Sequence, residues 1–152
     1  MEGERNNIPE QVKGRKIGVE EKVDTEERDN ILELLKKPWV RNGWRLENAS
    51  ENHKRDREIV IAAMKQIVFS IEFAPGDLRG DRDIVMTAVK QNGWALEFAS
   101  EDLQGDKYIV MTAVRNNGGG LKFASEDLRG NREIVMTAVK EVGWALEFAS
   151  GS

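Results

Sequence analysis

The chain has 152 residues, no cysteine, 33% charged residues and a formal net charge of -4. Without cysteine it can form no disulfide, no thiolate nucleophile and no cysteine-ligated zinc site. No apolar run approaches the roughly 18 residues that a membrane-spanning helix needs, and residues 1–10 do not form the apolar core of a signal peptide. We therefore expect a domain with a modest hydrophobic core, no membrane partner and a composition compatible with the cytoplasm.

The N-terminal segment precedes any regular pattern. Residues 1–23 are polar and show no hydrophobic period, which predicts a flexible tail. Asp24 and Glu27 then have the spacing of a helix-capping box, and Pro38 would end a helix that starts there. We predict a capping helix over residues 24–37.

A 25-residue unit dominates the rest of the chain. Residues 81–105 and 106–130 are identical at 17 of 25 positions. Other copies cover 31–55 in degenerate form, 56–80, and 131–150 in truncated form, where Gly151 and Ser152 replace the expected turn sequence. We number these copies repeats 1 to 5 in chain order. Repeated units of this length are typical of solenoids, so residues 24–152 are predicted to form one solenoid domain.

The first half of each repeat has the pattern of a helix. In repeat 3, Asp81 is a good N-cap residue, and Ile84, Val85 and Ala88 fall on one helical face. Asn92 and Gly93 follow, and both residue types tolerate the left-handed conformation that ends many helices. The pattern therefore predicts a helix that begins at an Asp or Asn and stops at a left-handed Asn-Gly pair.

The second half of each repeat is open to two interpretations. The composition of the WALEFAS segment, residues 94–100, favours a second short helix followed by a turn. Trp94, Leu96 and Phe98 also alternate with a period of two, which would suit a strand and a leucine-rich type of α/β solenoid. We predict the all-α alternative, a solenoid of about four and a half 25-residue helix-turn-helix repeats.

Three segments of the repeat are distinctive: KQNG at 90–93, ALEFASEDL at 95–103, and the helix pattern DREIVMTAVK, from which DRDIVMTAVK at 81–90 and NREIVMTAVK at 131–140 each differ at one position. Through these segments the repeat resembles a family of tandem helical repeats described as domain of unknown function 4116. The resemblance covers residues 56–150 well and 31–55 poorly, and repeat 2 departs from it at Ile67, Val68 and Pro75. The resemblance implies an all-helical array and no known catalytic residues.

The sequence gives little evidence for catalytic or ligand-binding residues. The single histidine, His53, has no Ser or acidic partner at a recognisable spacing. Carboxylates such as Asp81 and Asp106 occur where caps and turns favour Asp, without an EF-hand pattern. The glycine-rich run 116–120 lacks the Lys-Ser/Thr of a phosphate loop and predicts a softened turn. We therefore predict a protein that is not an enzyme and has no catalytic, cofactor or metal site.

Two surfaces are candidates for partners. Some equivalent positions differ from repeat to repeat while the rest of the repeat stays constant, as in solenoids that bind proteins or peptides. They predict a partner surface that includes Gln91, Trp94, Tyr108, Asn116 and Trp144. We also expect the last repeat to expose apolar residues that favour end-to-end self-association. The predicted function is a non-enzymatic scaffold for protein or peptide interaction.

The alternative function is nucleic-acid binding through repeat 1. Residues 31–55 contain six basic and three acidic groups, a net charge of +3, interleaved with Trp39 and Trp44. Basic groups next to aromatic rings can bind phosphates and stack bases. The predicted basic patch consists of Lys36, Lys37, Arg41 and Arg45.

Overall fold

The computed structural model describes residues 19–37 and 45–151, with side chains from residue 25 onward. Within these ranges the chain forms only helices and their connections, and no strand is present. The predicted all-α solenoid is therefore confirmed, and the strand alternative for the second half of the repeat is wrong.

Each complete repeat contains three helices rather than two. A ten-residue α-helix, which we call the long helix, is followed by a six-residue 3₁₀ helix and a four-residue short helix. The long helices are Arg57–Gln66, Arg82–Gln91, Lys107–Asn116 and Arg132–Glu141, and the 3₁₀ helices are Val68–Phe73, Gly93–Phe98, Gly118–Phe123 and Gly143–Phe148. The short helices are Gly76–Arg79, Glu101–Gln104 and Glu126–Arg129. Repeat 1 retains a three-residue 3₁₀ helix, Leu46–Asn48, and a short helix, Glu51–Lys54.

The long helices begin where the sequence predicts. The side chains of Asp56, Asp81, Asp106 and Asn131 each accept a hydrogen bond from a backbone N–H in the first turn. In repeat 3 the Asp81 carboxylate accepts from Asp83 at 2.9 Å and from Ile84 at 3.1 Å. These bonds satisfy amide groups that have no partner inside the helix, and each cap typically stabilises by about 1 kcal/mol.

The repeats stack in two layers. Each long helix packs against the long helix of the next repeat, and each 3₁₀ helix packs against the next 3₁₀ helix. The core lies between the layers, where the Ile and Val side chains of the long helices meet Ile71, Leu96 and Leu121 of the 3₁₀ helices. Backbone bonds also join neighbours, from the amide of Ser100 to the carbonyl of Arg79 and from Ser125 to Gln104. A repeat therefore completes its core only with its neighbour.

The second half of the repeat is tighter than a second α-helix. Its backbone bonds run from residue i+3 to residue i, as in Ala95 to Asn92 and Ala99 to Leu96. A six-residue segment of this kind is typical of 3₁₀ helices, which are short and have three residues per turn. The segment that was predicted as a turn, residues 101–104, forms the short helix.

The left-handed stop predicted at Asn92 and Gly93 is absent. Asn92 is extended, with φ of -154° and ψ of 117°, and its side chain caps the 3₁₀ helix. Among the described residues, the one glycine with positive φ is Gly151. A Cβ on Gly93 would lie 2.1 Å from the carbonyl oxygen of Ala113, and one on Gly118 would lie 2.3 Å from that of Ala138. Glycine is needed here because the next long helix approaches the backbone closely.

The capping helix is longer than its sequence pattern indicates. It spans Val19–Leu35, so residues 19–23 are helical rather than part of the predicted tail. Asp24 lies inside this helix and is not its N-cap. The helix packs against the long helix of repeat 2, where Ile31 and Leu35 are buried. Residues 1–18 of the predicted tail lie outside the described residues.

Candidate interaction surfaces

A row of aromatic side chains follows the layer of 3₁₀ helices. Phe69 contacts Phe98 with ring centroids 6.1 Å apart, and Trp94 contacts Phe123 at 5.7 Å. Trp144 lies 6.3 Å from Trp94 and 5.9 Å from Phe148. We call these residues, with Phe73, the aromatic strip. The strip spans repeats 2 to 5 because every 3₁₀ helix presents the same positions.

The strip is partly open to solvent and mostly acidic at its border. Phe69 is 40% exposed, Phe73 is 37% exposed and Trp144 is 51% exposed. The residue before the second aromatic position of each repeat is exposed and, with one exception, a glutamate: Glu72, Glu97, Lys122 and Glu147. Lys122 lies over Phe123 and Phe148, with its Nζ 5.7 and 5.9 Å from the ring centroids. The strip thus offers apolar rings beside carboxylates.

One end of the strip contains a shallow pocket of about 80 Å³. It lies between the 3₁₀ helices of repeats 1 and 2, and Ile67, Phe69 and Phe73 provide its apolar lining. Arg45, Glu47 and Glu72 provide charged groups at the same pocket. Its size suits one apolar side chain of a partner.

The structure separates the predicted partner residues into two places. Trp94 and Trp144 contact each other in the aromatic strip, and both rings lie next to Gly119. Tyr108 is 64% exposed but lies at the N-terminal end of its long helix, where Arg82 stacks 6.0 Å from its ring centroid. Asn116 ends the same helix, so about 12 Å of helix separates it from Tyr108. Tyr108 and Asn116 therefore lie at opposite ends of one long helix, whereas Trp94 and Trp144 are in direct contact.

Asn116 holds two repeats together. Its side-chain amide donates to the carbonyl of Lys90 at 2.9 Å, and its oxygen accepts from the amide of Gly93 at 2.8 Å. Gln66, at the same position of repeat 2, donates in the same way to the carbonyl of Leu35 in the capping helix. Gln91 is exposed. At this position of the repeat, Asn116 and Gln66 therefore form hydrogen bonds within the chain.

The glycine-rich run is packed rather than open. Gly118, Gly119 and Gly120 are all buried. A Cβ on Gly119 would lie 2.6 Å from the Trp144 ring and 2.9 Å from Nε1 of Trp94, and one on Gly120 would lie 2.8 Å from the carbonyl oxygen of Gly93. The two tryptophans of repeats 3 and 5 can meet because repeat 4 has no side chain between them.

A ladder of ion pairs that the sequence did not predict joins the capping helix and the N-terminal ends of the long helices. Arg28 pairs with Asp56 and with Glu58 at 2.6 Å, and Arg57 pairs with Asp81 and with Asp83 at 3.3 Å. Arg82 pairs with Asp106, and Lys107 pairs with Glu133 at 2.8 Å. From repeat 2 onward, partners lie 24 to 26 positions apart, so the 25-residue period itself contained the signal.

The ladder changes the acidity of its carboxyl groups. The hydrogen bond from Arg82 lowers the pKa of Asp106, against the opposing effect of burial. Burial raises the pKa of Asp56, but the bonds from Arg28 and from backbone amides outweigh it and the net shift is downward. Lys107 lowers the pKa of Glu133. These carboxylates are therefore held in their charged form.

Comparison with known sequences agrees with the repeat pattern. The sequence model of a family described as domain of unknown function 4116 matches three times, over residues 27–79, 68–104 and 106–152. The chain belongs to this family. No curated protein and no solved structure gives a significant match. The family description assigns no activity to its repeats, so roles for individual residues rest on the geometry.

In this family member the predicted basic patch is only partly described. Arg41, Trp39 and Trp44 lie outside the described residues. Lys36 is paired with Glu33 at 2.6 Å, which raises the pKa of its ammonium group. Arg45 is exposed beside Glu47 at the pocket. The remaining residue, Lys37, is exposed two positions after the end of the capping helix.

The other candidate residues serve local structure. His53 is buried in the short helix of repeat 1 and its Nδ1 lies 3.0 Å from Oγ of Ser50, the N-cap of that helix. Within the described ranges, His, Asp and Glu side chains form no group of three that could hold a metal ion. None of the described helices is both long and apolar enough to span a membrane.

Proposed function

We propose that the chain is a non-enzymatic scaffold that binds a protein or peptide partner along the aromatic strip. The observation that carries this proposal is the series of partly exposed aromatic rings that four successive 3₁₀ helices present. Aromatic side chains contribute large contact areas with little loss of conformational entropy, and they are enriched at binding hot spots.

The border of the strip specifies the chemistry of the partner. Three of the four border residues are glutamates, and Glu47 adds a carboxylate at the pocket. A segment with apolar side chains next to lysine or arginine would fill the spaces between the rings and complement these charges. We propose such a segment as the ligand, with one apolar side chain in the pocket formed by Ile67, Phe69 and Phe73.

A displayed library of random peptides tests this specificity directly. Selection on the full chain should enrich peptides that combine aromatic or aliphatic residues with basic ones. The double substitution Phe69→Ala and Phe73→Ala should then weaken the selected peptides by at least about tenfold, because truncated hot-spot residues commonly have effects of this size. Both rings are partly exposed, so the fold should tolerate their loss.

Matched variants control for indirect effects. Tyr108→Ala removes an exposed aromatic ring that lies outside the strip, and Lys65→Ala removes an exposed charge on a long helix. Both variants should retain peptide binding. Enrichment of acidic peptides, or equal binding by wild type and the Phe69/Phe73 variant, would reject the strip as the binding surface.

Nucleic-acid binding through Lys36, Lys37, Arg41 and Arg45 remains the alternative proposal. A filter-binding titration with single-stranded and double-stranded probes tests it. Binding by this patch should weaken steeply as salt is raised, and it should weaken further when Lys37 and Arg45 are replaced by Ala. An affinity that changes neither with salt nor with these substitutions would exclude this mechanism.

A further inference from the structure

The two ends of the long helices differ in how their charges are paired. At the N-terminal ends, the ladder of ion pairs joins cations and carboxylates of successive repeats. At the C-terminal ends, each long helix carries an exposed cation in its last turn, and none of these cations forms an ion pair with a described residue. We call these residues the cation edge: Lys65, Lys90, Arg115 and Lys140.

The helix dipole explains why cations occur at these positions, but it does not explain why they lack partners. In the last turns of the four long helices, Glu141 is the one carboxylate. The other three helices have an amide side chain at that position, in Gln66, Gln91 and Asn116. The cation edge is therefore a row of positive charge that is not compensated within the described chain.

The cations of this edge lie side by side. The side-chain amide of Asn116 donates to the carbonyl of Lys90, so the C-terminal ends of the long helices of repeats 3 and 4 adjoin. Packed helices are about 8–10 Å apart, so four helices spread their charges over about 24–30 Å. The edge thus offers one cation per repeat at a regular spacing.

The opposite edge of the stack carries a complementary row. Each short helix directly precedes the N-cap of the next long helix, so the short helices lie at the N-terminal ends of the long helices. A ten-residue helix separates the two edges by about 15 Å. The short helices of repeats 2 to 4 expose carboxylates that form no ion pair with a described residue. We call these residues the acid edge: Asp77, Glu101, Asp102, Glu126 and Asp127.

The two edges have the same spacing because they belong to the same repeats. Asp77, Asp102 and Asp127 are 25 positions apart, as are the residues of the cation edge. Two rows with one period can pair at every repeat, whereas a partner with another period would pair only locally. Since single exposed ion pairs are weak, a matched row is needed for measurable association.

We propose that a second copy of the chain binds along the cation edge through its acid edge. The two copies lie side by side with their long helices pointing in the same direction. Because each copy uses a different surface, both edges remain open at the sides of the pair and association continues beyond a dimer. This arrangement differs from end-to-end association, and it uses none of the residues of the aromatic strip.

Sedimentation velocity over a range of protein concentrations tests the proposal. At about 0.01 M salt the average sedimentation coefficient should rise with concentration. At about 1 M salt the rise should disappear, because the screening length falls from about 30 Å to about 3 Å. Wild type that stays monomeric at the lower salt concentration and high protein concentration would overturn the proposal.

A pair of charge-reversal variants identifies the surfaces. Lys90→Glu with Arg115→Glu makes both edges negative, and Asp102→Lys with Asp127→Lys makes both edges positive. Each variant alone should self-associate at least tenfold more weakly than wild type, and an equimolar mixture of the two should regain association. All four residues are exposed, so circular dichroism should show an unchanged fold. A mixture that does not regain association would contradict the proposed pairing.

A matched control separates the edges from the net charge. Arg55→Glu with Arg132→Glu alters the net charge as much as the Lys90/Arg115 variant does. Both residues are exposed at the N-terminal ends of long helices, so the new carboxylates extend the acid edge. This variant should associate at least as strongly as wild type. Equal losses in the two variants would assign the effect to net charge and overturn the proposal.

A single-stranded oligonucleotide tests the other occupant of a cationic row. If the oligonucleotide bound and the Lys90/Arg115 variant lost that binding, while the wild-type chain stayed monomeric, the cation edge would be assigned to nucleic acid and the proposal would be overturned. The proposed function is tested separately. The Phe69/Phe73 variant leaves both edges intact, so it should self-associate as wild type does even where it loses the selected peptides.

Discussion

Gly93 and Gly118 lie within the stack and Gly143 lies at its end, yet all three occupy the same position of the repeat. At the two internal positions the carbonyl of the next long helix would lie 2.1–2.3 Å from an added Cβ, and at the end position the space is open. The comparison shows that at Gly93 and Gly118 the close approach of the next long helix requires glycine. Packing against the next repeat therefore explains glycine at positions 93 and 118, whereas no contact within the described chain explains it at position 143.

The largest expected difference in stability between an internal repeat and the last repeat concerns Leu96 and Leu146, which occupy the same position of the repeat. Leu96→Ala should destabilise the fold by about 2–5 kcal/mol, because it opens a cavity in a fully buried inter-repeat core. Leu146→Ala should change the free energy of unfolding by less than about 0.5 kcal/mol, since its side chain is mostly exposed. Urea denaturation monitored by circular dichroism measures both. Equal losses would mean that the side chain of Leu146 is buried in solution.

The glycines themselves should show a smaller effect with opposite signs. Gly93→Ala should cost about 1–3 kcal/mol or more, because the Cβ forces the long helix of repeat 4 to move away. Gly143→Ala meets no atom and has no positive φ, so it should be neutral or stabilise by about 0.4–1 kcal/mol through the unfolded state. Thermal unfolding of the two variants side by side checks this. A destabilising Gly143→Ala would show that a neighbour occupies that space.

The ion-pair ladder should show the smallest effect. Asp106→Asn keeps a side chain that caps helices well, as Asn131 does, and removes only the charge that pairs with Arg82. The expected cost at pH 7 is about 0–1 kcal/mol, as for other surface pairs.

The pH dependence identifies the origin of that cost. Because the folded state lowers the pKa of Asp106, its contribution is present above the unfolded pKa of about 3.9 and is lost as the pH falls through the folded value. The stabilities of wild type and Asp106→Asn should therefore begin to approach each other as the pH falls below about 4, and should converge only below the lowered folded pKa of Asp106. Asn131→Asp is the reverse control, and it should gain a few tenths of a kcal/mol beside Lys107. A difference that persists at low pH would assign the effect to capping.

The predictions from sequence succeeded where the causal contacts are local. An Asp or Asn before a helix bonds amides two or three residues away, so the starts of the long helices could be placed from single letters. The capping helix was placed less well, because a cap-like pair at Asp24 and Glu27 also occurs inside a longer helix. Its true start at Val19 has no such marker.

The candidate sites were predicted less completely because their contacts cross between repeats. Trp94 and Trp144 are 50 positions apart, and nothing in either segment indicates that Gly119 allows their rings to meet. Asn116 was grouped with them as a variable residue, although its side chain bonds Lys90 and Gly93. Tyr108 was grouped with them as well, and it lies at the opposite end of its long helix from Asn116.

The sequence by itself determined the 25-residue period, the helical class, the starts of the long helices and the family. It could do so because hydrophobic periodicity and capping act within a few residues. The tertiary structure decided that the second half of each repeat is a 3₁₀ helix, why the glycines are needed, and which surface remains open. Those features depend on the distance between backbones of adjacent repeats, which is fixed only when one repeat packs against the next.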